Sequence, residues 1–424
     1  MTKDNTFFEG GRPIKGIRLL LIGPYPPPFG GIASHLRLLA PYLINHGVSD
    51  LAIITFGNQN SKEFIEGISI YRYRLKGQLW RLLLPNNFKL IFHVYKSFLF
   101  KGLSGSQLVQ EMIKAVLINK VVNKRKINVI SAYLANANLQ LIPLNGYWRG
   151  RLGIILSIFG EIYEAPEFFE KHKELFHELI QIPDSLMSSS QYCAQSLRKI
   201  GITRNIEPVF YGVELSFKDS PENRKILRNK YSLRSGEIVI FFMGRMLEDM
   251  GLDVVLSTAP ELLLHNPNCR FIIAGATGEL TDSAYALEQK FPDRVEVMEN
   301  ISFSNQREIY ELVDVLVAPT YNQRACMGVS IKEAMAASLP VIAGAGGGIA
   351  EAVVDGETGY LIPIDIDGKV NKHIYIEMLK RLIDDPNLRF SFGRSGRSRA
   401  VEIFSVDHTN KRVAQIIYDV SSRL

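Results

Sequence analysis

Residues 319–359 read PTYNQRACMGVSIKEAMAASLPVIAGAGGGIAEAVVDGETG, and the alternation inside and around this stretch decides the fold. The apolar runs Val315–Ala318 and Pro340–Ala343 have the length and β-branched content of buried strands. Between them Val329–Ala337 has helical spacing, and glycines punctuate the junctions, Gly328 before the helix and Gly344 to Gly348 after the second strand. Strand, loop, helix, strand, glycine loop, helix is the grammar of a parallel α/β sheet with right-handed crossovers. The same stretch puts Glu333 on the first or second turn of the helix that follows Gly328. Free N–H groups at a helix start favour an anion, and a carboxylate accepts hydrogen bonds from a vicinal diol. The pair suits a ligand with phosphate at one end and hydroxyls at the other. A solvated glutamate near a helix start is the plainer reading of the same residues.

Outward from that stretch the alternation continues. Ile238–Met243, Arg270–Ala274 and Arg294–Met298 read as strands, Ser304–Val313 as a helix, and 251–265 as a helix interrupted by Pro260. A separate series starts at the other end of the chain. Ile17–Ile22 is a strand, Leu36, Leu39 and Leu43 recur at helical spacing, and Leu51–Phe56 is the next strand. Asn128–Tyr133, Gly153–Phe159 and Ser185–Ser189 follow as strands, with the amphipathic run Pro166–Ile180 before the last. At 424 residues the chain is too long for one ordinary core. The expectation is an α/β protein of two facing doubly wound Rossmann-like domains with a cleft between them, joined near 211–222, where turn formers concentrate.

Composition narrows the class. Hydrophobic residues make up 46% and charged residues 22%, as in globular proteins, and no run approaches the length of a spanning helix. Met1 to Asn5 shows no basic flank before an apolar run, so no secretory signal is expected. Three well-separated cysteines, Cys193, Cys269 and Cys326, argue for a reducing, cytoplasmic setting without a disulfide framework. Charge is uneven. Residues 1–150 hold 19 Lys and Arg against 6 Asp and Glu, a net +13, so the remainder carries −7 of the overall +6. Within that third, 72–101 interleaves Arg72, Arg74, Lys76, Arg81, Lys89, Lys96 and Lys101 with Trp80, Phe88, Phe92, Tyr95, Phe98 and Phe100. Such a segment suits an anionic membrane surface, or else a core-facing helix with a basic outer face. Nucleic-acid binding is not expected, because the rest of the chain is acidic and no recognised motif is present.

Four constellations carry chemistry. Gly30-Gly31 lies between a strand and a helix, where backbone can approach a ligand or simply turn. Gly244-Arg245 follows a buried strand, so the guanidinium could fork onto a diphosphate or make a surface ion pair. Gly328 to Glu333 is the helix start described above. Gly344 to Gly348 is a second backbone cradle or a flexible turn. His172 and His177 stand five apart among Glu170, Glu174 and Glu178, which does not put both on one helix face, so no metal site is expected.

Taken in order, these pieces resemble the retaining glycosyltransferases of the GT-B fold, family 4 (glycosyl transferases group 1). The similarity is strongest over 238–362, through Gly244-Arg245…Gly251, Ala274-Gly275, Asp314-Val-Leu-Val-Ala-Pro319, Gly328-x4-Glu333-Ala-Met-Ala-Ala337, Pro340-Val-Ile-Ala343 and Asp355-Gly-x-Thr-Gly-Tyr-Leu361. The resemblance implies an acceptor-side domain over 1–214, a donor domain over 215–399, and a C-terminal helix within 400–424 returning to the first. It implies that Gly30 and Gly31 lie near the donor diphosphate and that Arg245 binds its phosphates. Gly328, Val329 and Ser330 would then frame phosphates and sugar, Glu333 hold the ribose, and Met298 to Ile301 meet the base. The implied donor is a UDP- or GDP-linked sugar, with no permanently bound cofactor. The implied acceptor is a glycan or a lipid-linked saccharide.

Three positions depart from the pattern. Met250 stands where a lysine is usual, Ala325 where the first of two glutamates is usual, and Phe159 where a histidine is usual. Glu161 and Arg324 are the nearest polar substitutes, Glu161 as a catalytic candidate and Arg324 on the donor side. The departures leave a second reading open, a sugar-nucleotide-binding or partner-binding relative without transferase activity. A nucleotide-sugar epimerase is a third.

Overall fold

The structure, a computed structural model, describes residues 16–27, 30–217 and 220–424. Met1 to Asn5, Pro28, Phe29 and the linker residues Lys218 and Asp219 lie outside the described residues. The chain forms two compact units, one running to Phe210 and taking back Thr409–Leu424, the other Tyr211–His408.

The first unit is built on eight strands: β1 (Arg18–Ile22), β2 (Asp50–Phe56), β3 (Ser61–Ile65), β4 (Ile68–Tyr73), β5 (Val129–Tyr133), β6 (Gly153–Ile158), β7 (Ser185–Ser188) and β8 (Glu207–Pro208). They lie in the order β3-β4-β2-β1-β5-β6-β7-β8, all parallel except the β3–β4 hairpin. Central β1 is buried along Leu19–Ile22, a continuous apolar run of the kind a parallel sheet covered on both faces requires. Leu20 pairs with Ala52 on one side and Ile130 on the other. Leu156, Phe169 and Phe176 pack in the same core.

The second unit holds β9 (Ile238–Met243), β10 (Cys269–Gly275), β11 (Val295–Glu299), β12 (Val315–Ala318), β13 (Val341–Gly344) and β14 (Gly359–Ile362), all parallel in the order β11-β10-β9-β12-β13-β14. Ile240, Phe242, Phe271, Val317, Ile342 and Tyr375 belong to its core. Each unit is thus a doubly wound α/β sheet, as the alternation implies.

Two differences from the expected layout have physical causes. The helix Leu252–His265 runs unbroken through Pro260, because the lost backbone donor is outweighed by a face on which Val255, Ala259, Leu262 and Leu263 are all buried. The units divide at Tyr211 rather than 215, and 400–408 stays with the second. The carbonyl of Tyr211 is held there by Lys332 Nζ at 2.7 Å, and Val213 bridges Ser405. Beyond Thr409 the helix Val406–Ser421 packs in the first unit, where Asn410 Nδ2 donates to the Leu38 carbonyl and Arg412 pairs with Glu207. Among the described residues no helix is long and apolar enough to cross a membrane.

Candidate functional site

The strand order of the second sheet marks a candidate site. The chain starts at β9, moves outward through β10 and β11, then returns to lay β12 on the other side of β9. Connections on either side of that reversal leave in opposite directions, which opens a crevice at the carboxyl ends of β9 and β12. Gly244-Arg245 follows β9 directly, and the loop from Pro319 to Gly328 follows β12. Sequence motifs and topology therefore meet at one place.

Glycines let these loops close on one another. A Cβ at Gly251, which has φ +84°, would stand 2.2 Å from the Pro319 carbonyl oxygen. Thr320 Oγ1 donates to the Asp249 carbonyl at 2.9 Å, and Asn322 Nδ2 to Asp249 Oδ2 at 2.6 Å. Asp249 also takes the Arg324 guanidinium at 2.9 Å. Arg324 is thus tied to the loop it helps to fold. Met250 sits partly buried against the apolar core.

The glycine loop after β13 has a packing explanation. Cβ atoms at Gly344, Gly346 and Gly347 would fall 2.2, 2.8 and 2.3 Å from the backbone of Thr320, Tyr321 and Ala325 respectively, and the Gly348 N–H donates to the Ala325 carbonyl at 2.7 Å. These glycines hold the 320–325 loop in position; the reading of this loop as an open cradle gives way to that one.

Arg245 is exposed, and among the described residues its guanidinium has no hydrogen-bond partner. The helix Val329–Ala336 starts at Gly328 (φ +64°) with no side-chain cap and no acid in its first turn, leaving its first N–H groups and dipole to an outside anion. Val329 and Ser330 are half-buried in that turn. One turn on, Glu333 Oε2 accepts from Gln306 Nε2 at 2.7 Å and from the Tyr310 hydroxyl at 3.0 Å. Burial, then the Glu333 charge, pushes the Tyr310 phenol well above its ordinary pKa, so it stays a donor. Gln306 and Tyr310 stand four apart on the helix Phe303–Leu312 and face one way, a pairing that the sequence reading missed. Met298 and Ile301 lie half-buried at the carboxyl end of β11, where the Asn300 N–H donates to the Gly275 carbonyl at 2.8 Å. Three strand spacings separate β11 from β12, roughly 14 Å across the edge of the sheet.

The first unit has its own reversal, between β1 and β5. Gly30 and Gly31 are exposed there, at the start of the helix Gly31–Asn45, and a Cβ at Gly30 would meet nothing within 4 Å. The Pro-rich loop before them is held by buried Arg72, which donates to the carbonyls of Tyr25, Pro26 and Pro27 and pairs with Glu63. Arg72 is therefore withdrawn from the basic surface expected over 72–101. Glu161 is also buried. Its Oε1 accepts from the Ala135 N–H at 2.9 Å and its Oε2 from the Phe159 N–H at 2.6 Å, so it ties the loops after β5 and β6 together. Buried Glu111 does similar work, taking the Gln140 N–H and the Lys114 ammonium, and its burial raises its carboxyl pKa.

Residues 223–399 match the family model described as glycosyl transferases group 1. The D-inositol 3-phosphate glycosyltransferase of Corynebacterium aurimucosum is 29% identical over 171 residues, 38% of either chain. The capsular polysaccharide biosynthesis glycosyltransferase CapM of Staphylococcus aureus is 28% identical over 190 residues, 43% of this chain and 47% of that one. The matched part thus spans less than half the length of these relatives. Among solved structures, sucrose-phosphate synthase from Thermosynechococcus elongatus superposes with a TM-score of 0.74 at 16% identity, covering 96% of this chain and 100% of that one. HepE from Anabaena, solved in complex with UDP, gives 0.69 at 15% identity, covering 95% and 100%. The protein has the GT-B fold of two Rossmann-like α/β domains.

Proposed function

We propose that the protein is a retaining glycosyltransferase that moves a hexose from a nucleotide diphosphate sugar to a glycan or a lipid-linked saccharide. One observation carries the reading. At the reversal of the second sheet, an arginine whose guanidinium has no partner among the described residues, an uncapped helix start and a carboxylate braced by two donors all follow the neighbouring strands β9 and β12. Arg245 and the N–H groups after Gly328 suit a diphosphate, Glu333 suits a ribose diol, and Met298 to Ile301 suit a base further along the sheet edge. The UDP bound in the HepE structure supports a uridine donor over a guanosine one.

In the transfer the bond from the anomeric carbon to the diphosphate oxygen breaks as the acceptor oxygen bonds to the same face. The acceptor's proton passes to the departing phosphate oxygen. Arg245 and the helix start stabilise the charge that develops there, and no side-chain base is required. That removes the need for a histidine at Phe159. Glu161, with both oxygens taken by backbone donors, positions the loops around it.

Arg245→Ala is expected to cut turnover by about two to three orders of magnitude with the fold intact. Unchanged turnover would remove Arg245 from the diphosphate site. A second reading, nucleotide-sugar binding without transfer, is favoured by the capture of Arg324 by Asp249 and by the apolar setting of Met250. Nucleotide release measured across a panel of sugar nucleotides and acceptors separates the two. Binding without release throughout would favour the second.

A further inference from the structure

From residue 67 to residue 110 the chain contains seven Lys and Arg and no Asp or Glu. Arg72 is consumed in the loop clamp described above, and Lys101 pairs with Glu178. Arg74, Lys76, Arg81, Lys89 and Lys96 remain, all on or beside two elements, the 3-10 segment Leu75–Leu83 and the helix Phe88–Phe98.

The helix has two apolar faces. Leu90, Val94 and Phe98 turn inward and are buried, packing in the core of the first unit. At about 100° per residue, Phe88, Phe92 and Tyr95 centre roughly 130° away from that buried stripe, with Lys89 and Lys96 along their far edge. An ordinary core-facing helix would present only charge there. Instead Phe88 is 55% exposed and Phe92 59%, with the Lys96 ammonium 4.8 Å from the Phe92 ring centre. In the 3-10 segment a period of about three residues aligns Trp80 with Leu83. They are 52% and 77% exposed, and the Arg81 guanidinium lies 4.6 Å from the Trp80 ring. Just beyond the helix, Phe100 is 96% exposed on a left-handed backbone, φ +65°, a conformation costly for a bulky residue and here compensated by no core contact.

The lysine-bearing edge of the helix continues toward a recess. His93 lies 5.9 Å from Tyr147 and bonds the Pro143 carbonyl. Tyr147 in turn lines a recess of about 440 Å³ together with Lys126, Arg149 and Arg151. Apolar side chains thus project outward with a cationic border, and acids are absent from the whole segment.

We propose that this face of the first unit docks on an anionic lipid bilayer, with Trp80, Leu83, Phe88, Phe92 and Phe100 entering the interface and the surrounding cations meeting headgroups. Two other occupants fit less well. A second copy joined about a two-fold axis would set these cations against their own counterparts. A protein interface is depleted in lysine at its core, whereas Lys89 and Lys96 border the aromatic stripe directly. Aromatic residues with basic neighbours are the pattern that bilayer interfaces retain.

The test is flotation of the full-length protein with vesicles of phosphatidylcholine, with and without phosphatidylglycerol. Trp80 serves as reporter, since Trp148 is buried with its indole N–H on Asn119 and supplies a constant background. Binding is expected only with phosphatidylglycerol, weakened but not abolished by salt, with quenching by brominated acyl chains. Lys89→Gln with Lys96→Gln should lower partitioning by roughly tenfold or more. Phe88→Ser with Phe92→Ser should remove the salt-resistant part and leave UDP affinity unchanged. No binding to anionic vesicles at low salt, equal binding to neutral ones, or an unquenched Trp80 would each overturn the proposal. So would light scattering that shows a dimer dissolved by the Phe88 and Phe92 changes, which would assign the face to a protein partner.

Discussion

Glu333 and Lys332 are neighbours on one helix and meet opposite surroundings. Glu333 is legible in the sequence as an acid one turn inside a helix start, but its supports are not. Gln306 and Tyr310 are 27 and 23 residues away, and only the fold brings their donors to its Oε2. Tyr310→Phe removes one bond to a charged acceptor and should cost about 1.5–3 kcal/mol in urea denaturation. It should also weaken UDP binding by calorimetry, and equal affinity would show that the carboxylate needs no brace. Lys332 is fully buried with its Nζ on the Tyr211 carbonyl, and burial lowers its pKa to about 8. The unfolded chain, with lysine near its usual value, therefore binds more protons than the folded one between about pH 8 and 10. Stability attributable to this group is least below pH 8 and rises with pH through that window, by on the order of 3 kcal/mol at most. Lys332→Met should flatten the rise in denaturation measured from pH 7 to 10. A parallel pH profile in the variant would mean that the lysine is not neutralised there.

The alternation of strands and helices was readable at the element scale because buried parallel strands are short unbroken apolar runs, as in β9 and β12. Why particular glycines occur was not readable, since that depends on which backbone passes above them. Gly30 and Gly251 look alike in the sequence, each preceding a helix. In the structure Gly30 faces open space on extended backbone, whereas Gly251 has φ +84° and lies under the Pro319 carbonyl. Gly30→Ala should cost less than about 1 kcal/mol, the loss of a tolerated N-cap residue. Gly251→Ala should cost upwards of about 2 kcal/mol, through both strain and a blocked approach. Chemical denaturation of the two variants side by side tests the contrast. Comparable losses would mean that the loop after β9 yields easily, and the crevice at the sheet reversal would then not be pre-formed. The hairpin of β3 and β4 escaped the sequence reading for a related reason. Its outer strand is an exposed edge with no apolar alternation to announce it.

At the scale of the whole molecule, charge and chemistry divide between the units. The first carries the basic excess, the exposed aromatic face and the Glu161 tie, while the second carries Arg245, Gly328 and Glu333. Glu161 could not be assigned from the sequence, where an acid two residues beyond Phe159 looks like a substitute for a missing histidine. Its oxygens are both spent on backbone N–H groups at the ends of β5 and β6. Glu161→Gln puts an amide donor against one of those N–H groups, so it should destabilise the protein by about 1–3 kcal/mol and depress transfer. On the proposed reading nucleotide is held by Arg245, the helix start after Gly328 and Glu333, all in the other unit, so its affinity should hold. Arg245→Ala should also depress transfer but leave the unfolding free energy within about 0.5 kcal/mol while UDP affinity falls. Calorimetric titration of both variants with UDP, alongside their denaturation curves, decides the matter. If Glu161→Gln weakens UDP binding as much as Arg245→Ala does, the nucleotide is not held by the second unit alone.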